Sequence, residues 1–265
     1  MRAQFQVVFF LISALCVQFM TGSAAAQTCT PYTGSSGASF TWSGITWNID
    51  PDGSGIGSGQ VKSLGSNMTV DSNCYLHETI TNSGTGTEMF SASTMGFGTY
   101  QWVLQGNNYY NMDPAIVVGM FPYGPANNPP AGVDGQNEID IEFSKWGSTL
   151  VNAPNIDFTV YPPPKHGGHR SSTDQAYYVV APSSSTTTVR FVWHSTSVSF
   201  YAMAGTVPIS SSPTNVIQSY VYNGSTTTIP QGAFVLGMNL WGYRKVPTTG
   251  TTVIYQSFAF QSSPN

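Results

Sequence analysis

The chain has 265 residues, 40% of them hydrophobic and only 8% charged, with a formal net charge of −4. That length can build one large core, and the acidic balance excludes a nucleic-acid binder, which needs a basic face to release counterions. The aromatic and β-branched content excludes a disordered chain.

The first segment reads as an export signal. Met1-Arg2 carries the early positive charge, residues 7–17 form an apolar run, and Ala24-Ala25-Ala26 gives a small-residue cleavage pattern. The run is too short to span a bilayer comfortably, and Leu15 before Cys16 is a poor fit to a lipoprotein site. Residues 1–26 are expected to be removed. Residues 27–265 are then a single secreted domain, monomeric and free of the membrane. Removal takes one Arg and no acid, leaving seven basic against twelve acidic residues, a net charge of −5. Cys29 and Cys74 remain; an oxidising compartment would allow them to pair, and the sequence leaves open whether they do.

Strand signals dominate the rest. Short runs rich in Val, Ile, Tyr, Phe, Thr and Trp alternate with Gly, Pro, Asn and Ser. The predicted strands are 40–49, 75–81, 97–105, 115–120, 138–143, 156–161, 176–180, 188–194, 198–202, 234–240 and 252–260. No long 3.6-residue apolar period occurs, so helices should be few and short. Many short strands indicate an all-β sandwich or barrel rather than a parallel α/β sheet, and no fixed repeat suggests a propeller. Long loops are expected at 49–59, 123–135 and 162–170. The Ser/Thr tracts 183–188 and 225–228 read as exposed turns. His77 and His194 fall in predicted strands, and His166 and His169 in the last long loop. None has metal-ligand spacing with cysteines, so no metal site is assigned. Asn67-Met68-Thr69 and Asn223-Gly224-Ser225 fit glycosylation sequons.

The informative segment is Asn137-Glu138-Ile139-Asp140-Ile141-Glu142-Phe143. Successive strand side chains point to opposite faces. Glu138, Asp140 and Glu142 therefore line one face, while Ile139, Ile141 and Phe143 bury the other and fix the register. Three like charges about 7 Å apart repel, and repulsion or burial raises at least one pKa. General acid catalysis needs that arrangement, with one carboxyl protonated beside an ionised neighbour. A solvated acidic face and a cation site are the competing readings. The chain has only twelve acids, so three on one face is uneven use, and a flat strand cannot wrap Ca²⁺ in six to eight oxygens.

Glu138 to Phe143 resembles the signature of glycoside hydrolase family 16, in the branch of lichenases and xyloglucan endotransglycosylases. Met95-Gly96-Phe97-Gly98-Thr99-Tyr100, Gly119-Met120-Phe121-Pro122-Tyr123, Met238-Asn239-Leu240-Trp241-Gly242 and Gln256-Ser257-Phe258-Ala259-Phe260 resemble further family segments in the expected order. The resemblance spans residues 81–260 and is weak over 27–80.

The resemblance implies a β-jelly-roll sandwich of two curved antiparallel sheets, with an open, endo-acting cleft on the concave face. It implies a polysaccharide substrate, with mixed-linkage β-1,3-1,4 or β-1,3-glucan favoured. Glu138 would be the nucleophile, Asp140 its electrostatic helper and Glu142 the general acid/base of a retaining double displacement. Asn239, Trp241, Phe121, Tyr123 and Glu88 would bind sugar. No cofactor is required; the family often holds a structural Ca²⁺, for which the sequence shows no ligand set. Two departures concern the glucan type. Phe90 stands where lichenases carry Arg, and Gln136 where they carry Trp. The residues 115–120 also lack a Trp found in many β-1,3-glucanases of the family. The alternatives are a transglycosylase acting on cell-wall polysaccharide, and a sugar-binding relative with little or no turnover.

Overall fold

A computed structural model describes residues 29–124, 137–163 and 175–263. The expected signal, most of the loops 123–135 and 162–170, Gln136, His166 and His169 lie outside the described residues.

Seventeen strands are described: β1 (Ser39–Trp42), β2 (Ile45–Ile49), β3 (Gly55–Ile56), β4 (Val61–Ser63), β5 (Met68–Val70), β6 (Leu76–Ile80), β7 (Thr85–Met95), β8 (Gly98–Gln105), β9 (Ile116–Tyr123), β10 (Glu138–Ser144), β11 (Ile156–Tyr161), β12 (Gln175–Tyr178), β13 (Thr186–Trp193), β14 (Ser197–Ala204), β15 (Val216–Asn223), β16 (Phe234–Gly242) and β17 (Thr251–Ser262). Two 3₁₀ turns, Gly65–Asn67 and Asn108–Tyr110, are the helical elements among the described residues.

The strands form two sheets, the layers of a β-jelly-roll sandwich. One runs β1-β2-β7-β16-β9-β10-β11-β12, with β3 and β4 attached at its side; the other runs β15-β14-β13-β8-β17-β6-β5. All pairings are antiparallel except β4 with β7. The inner faces meet in a core of large side chains. Ile139, Ile141, Phe143, Phe158 and Met120 come from the first sheet, and Tyr100, Trp102, Phe191, Trp193 and Phe200 from the second. Phe158 stacks on Phe200 across the layers, centroids 5.0 Å apart.

Several expectations need correction. The single strand at 40–49 is a hairpin: Ser43 and Gly44 both adopt positive φ, the backbone of a two-residue turn that matches strand twist. The Gly-rich loop 49–59 contains β3. Strands β4, β5, β7 and β15 were not expected. Strand β7 carries Thr87 and Ser91 on its buried side, so its inward face looks polar in sequence. Strand β15 is a half-exposed edge with little apolar contrast. The tract 183–188 is not all exposed turn, since Thr187 and Thr188 are fully buried at the start of β13. His194 lies just past β13.

Residues 29–80 supply β1 to β6, and their first segment is pinned by a disulfide between Cys29 and Cys74, with Cα atoms 5.6 Å apart. Cys74 also accepts, on its carbonyl, a hydrogen bond from the buried indole of Trp42.

Candidate active site

The outer face of the first sheet carries a cleft of about 950 Å³. Strand pairing places its polar groups in rows. Glu142 lies opposite Gly119 on β9 and Asp157 on β11; Glu138 lies opposite Tyr123 and Tyr161. On the other side, Asn239 of β16 lies between Gly119 and Glu88 of β7. The sheet thus brings Glu138, Asp140, Glu142, Glu88, Asn239, Trp241, Phe121 and Tyr123 into one cleft, as the strand alternation requires.

The three carboxyls of β10 sit in different environments. Ile139, Ile141 and Phe143 are fully buried beneath them. Glu138 and Glu142 are half-buried, whereas Asp140 is 3% exposed. Burial pushes the Asp140 carboxyl well above the usual carboxylate range, and the charges of Glu138, Glu142 and Asp157 push it further. Its hydrogen bond to Glu138 acts in the same direction. Burial and these charges all favour the protonated form of Asp140, whose hydrogen bond runs to Glu138.

A second polar group faces the strand from across β9. Asn239 Nδ2 donates to Glu88 Oε1 at 3.3 Å, and Glu88 hydrogen-bonds Asp50. Burial raises the Asp50 carboxyl and that bond pulls it partly back. The other amide atom, Asn239 Oδ1, is buried and has no partner. It lies over Gly119, where a Cβ would be 2.4 Å away. An acceptor held there can receive a sugar hydroxyl.

Aromatic rings form both flanks. Phe90, Phe121 and Tyr123 make one group, with centroids 5.7 to 6.3 Å apart. Trp146, Trp241 and Tyr243 make the other, with Tyr243 covered by the Arg244 guanidinium at 4.7 Å. Such rings can stack on the flat C–H faces of sugars.

Sequence reasoning missed Asp50, Trp146, Asp157, Tyr161, Tyr177 and Tyr243. Trp146 and Asp50 follow the ends of β10 and β2, Asp50 within the long loop expected at 49–59. Trp146 adopts a positive φ of 50°, unusual for a bulky residue and a form of strain that clusters at functional sites. Among the described residues no group of three or more His, Cys, Asp or Glu could hold a metal ion, so no Ca²⁺ ligands are assigned.

No protein-family model matches the sequence, and no curated protein matches it. Solved structures do. The chain aligns with a Bacillus licheniformis β-glucanase at TM-score 0.59 and 17% identity, covering 89% of this chain and 98% of that one. It aligns with a prokaryotic β-1,3-1,4-glucanase (lichenase) from a mouse hindgut metagenome at TM-score 0.57 and 18% identity, covering 82% and 93%. A glycoside hydrolase family 16 endo-glucanase from Bacteroides ovatus, solved with an oligosaccharide derivative, aligns at TM-score 0.53 and 11% identity, covering 76% and 88%. The chain shares the jelly-roll fold of these enzymes. That agrees with the fold expected from the Glu138 to Phe143 segment.

Proposed function

We propose that the chain is an exported, endo-acting β-glycoside hydrolase that cleaves a neutral β-glucan with retention of configuration. The observation that carries this reading is the β10 face: a buried Asp140, its proton affinity raised, between two half-buried glutamates on the floor of the cleft. The carboxylate of Glu138 attacks the anomeric carbon while Glu142 protonates the departing oxygen. Water, activated by Glu142 as base, then releases the sugar from Glu138. Asp140 donates to Glu138 when it is an anion and keeps it from taking the proton itself.

The charge of the cleft supports a neutral polymer. Asp50, Glu88, Glu138, Asp140 and Glu142 line it against Lys145, the one cation among the described lining residues. A sulfated or uronic chain would meet like charge there. A β-1,3-1,4-glucanase of this fold, and another protein of this fold solved with laminaritriose and laminaritetraose, support a mixed-linkage β-1,3-1,4 or β-1,3-glucan. The disulfide supports export, since such bonds persist in oxidising compartments.

The test is a panel of barley mixed-linkage glucan, laminarin, xyloglucan, agarose and carrageenan, read as new reducing ends. Activity is expected on a neutral β-glucan. Glu138→Gln should lower it by at least about a thousandfold with the fold unchanged. Full activity in that variant would refute the nucleophile.

A further inference from the structure

Asp157 has no part in the mechanism so far. It sits on β11, opposite Glu142 in the pairing of β10 with β11, and it is 0% exposed. Directly paired side chains on one sheet face have Cβ atoms about 4.5–5.5 Å apart. Trp146 Nε1 donates to Asp157 Oδ1 at 2.9 Å, and Thr159 Oγ1 donates to Oδ2 at 3.1 Å. The two donors favour the charged form of this carboxyl against its burial, and its charge is among those that raise the Asp140 carboxyl. Asp157 does not line the cleft, so it is not a sugar contact.

We propose that Asp157 is the positioning residue that keeps the proton on Glu142, a buried carboxylate facing the general acid from the neighbouring strand and clamped by Trp146 and Thr159. This rests on the reading of Glu142 as the acid. Its effect must be weighed against the other groups facing Glu142. On its own strand these are Asp140, whose proton affinity burial raises, and Glu138. From β9 the facing residue is Gly119, without charge. Tyr177 of β12 pairs with Asp157, and Lys145 follows β10. Glu88 and Asp50 share their own hydrogen bond farther along the cleft, whose remaining titratable walls are Tyr123, Tyr161 and Tyr243. Asp157 is the anion paired directly with Glu142 across the ladder.

In the first step Glu142 gives its proton to the departing oxygen, which keeps the electron pair of the broken C–O bond while Glu138 bonds the anomeric carbon. Glu142 is then an anion beside an anion. That makes it a strong base for the proton of the attacking water, whose oxygen displaces Glu138. Asp157 neither gives nor takes a proton; it sets the affinity of Glu142 for one.

The test compares pH profiles of kcat/KM for wild type, Asp157→Asn and Trp146→Phe. Removing the charge in D157N should move the alkaline limb about one unit or more to lower pH. Removing the indole N–H in W146F strips a donor from Asp157 but leaves its charge in both protonation states of Glu142, so the limb should stay near its wild-type position. A purely structural role would move both variants alike. A second measurement needs no turnover: the infrared C=O band of protonated carboxyls, titrated in wild type, Glu142→Gln, D157N and W146F. The component absent from E142Q should titrate lower in D157N and stay in place in W146F. If D157N fails to fold by thermal melting, Asp157→Ser, which also removes the charge, takes its place. An active enzyme whose limb and band stay in place in a folded variant without the charge overturns the proposal. A protein without activity whose band still shifts as stated upholds it while the proposed function fails.

Discussion

A Cβ on Gly119 would lie 2.4 Å from Asn239 Oδ1, well inside van der Waals contact. Glycine is required there because the Asn239 amide lies over β9 while its nitrogen stays on Glu88. Gly119→Ala should therefore push Asn239 aside and break that bond. Overpacking of this kind costs about 1–3 kcal/mol, but the strand is tied on both sides, so the fold should hold. The expected outcome is a rise in KM of about tenfold, the equivalent of one well-placed hydrogen bond, with kcat reduced less. Unchanged KM in the folded variant would mean that Asn239 does not meet the substrate. Asn239→Ala should reproduce the loss, and adding Gly119→Ala to it should add little, because the clash and the bond are the same event.

Elements explain what could be read from the sequence. Strand β10 was legible because its two faces differ in kind, three carboxyls against Ile139, Ile141 and Phe143, all fully buried. Strand β7 was not, because Thr87 and Ser91 occupy its inward face and mute the alternation. Asp157 was visible only as one polar residue in an alternating strand; its meeting with Glu142 depends on the β10–β11 register, which local sequence does not encode. Trp146 and Asp50 lie outside the strands, where no periodicity points a side chain anywhere. The pairing of Cys29 with Cys74 was likewise open, since it needs two Cα atoms brought close by β1, β5 and β6. That bond closes a 45-residue separation and anchors a segment otherwise tied by Thr30 to Thr41 and by Tyr32 to Val70. Cross-linking a loop of this size removes unfolded-state entropy worth about 4 kcal/mol in the simplest chain model, with measured effects commonly about 2–4 kcal/mol. Replacing both cysteines by Ser should lower stability by that amount in urea titrations at fixed pH. Activity at low temperature should persist, because β9, β10 and β16 are paired without this segment. Equal midpoints for the two proteins would show that the N-terminal segment contributes no constraint.

At the scale of the whole molecule, the sandwich encloses an acid that plays no part in the cleft. Glu78 of β6 points between the sheets, 0% exposed, toward Thr87 of the facing sheet and Tyr255 of β17. Both hydroxyls pull its proton affinity down somewhat, yet neither reaches its oxygens in hydrogen-bond geometry. Burial dominates and pushes the carboxyl from the ordinary 4.5 up to about 8. The unfolded chain therefore loses this proton near 4.5 and the folded chain holds it until about 8. Between those values the folded state binds the extra proton, so stability falls as pH rises. The contribution is intact below 4.5 and lost by about pH 8, a span worth about 5 kcal/mol at full burial. Glu78→Gln keeps the shape of the neutral acid and cannot ionise. Its carboxamide donors can turn to the hydroxyl oxygens of Thr87 and Tyr255. At pH 5 its melting temperature should lie within a few degrees of wild type. At pH 9 it should exceed wild type by roughly 10 °C, at about 2–4 °C per kcal/mol for a domain of this size. Every other titrating group is common to the two proteins, so their difference isolates Glu78 from general charge repulsion. Melting curves that stay parallel from pH 5 to 9 would mean that Glu78 reaches water in the folded state, and that the two sheets are less tightly closed over it than its burial indicates.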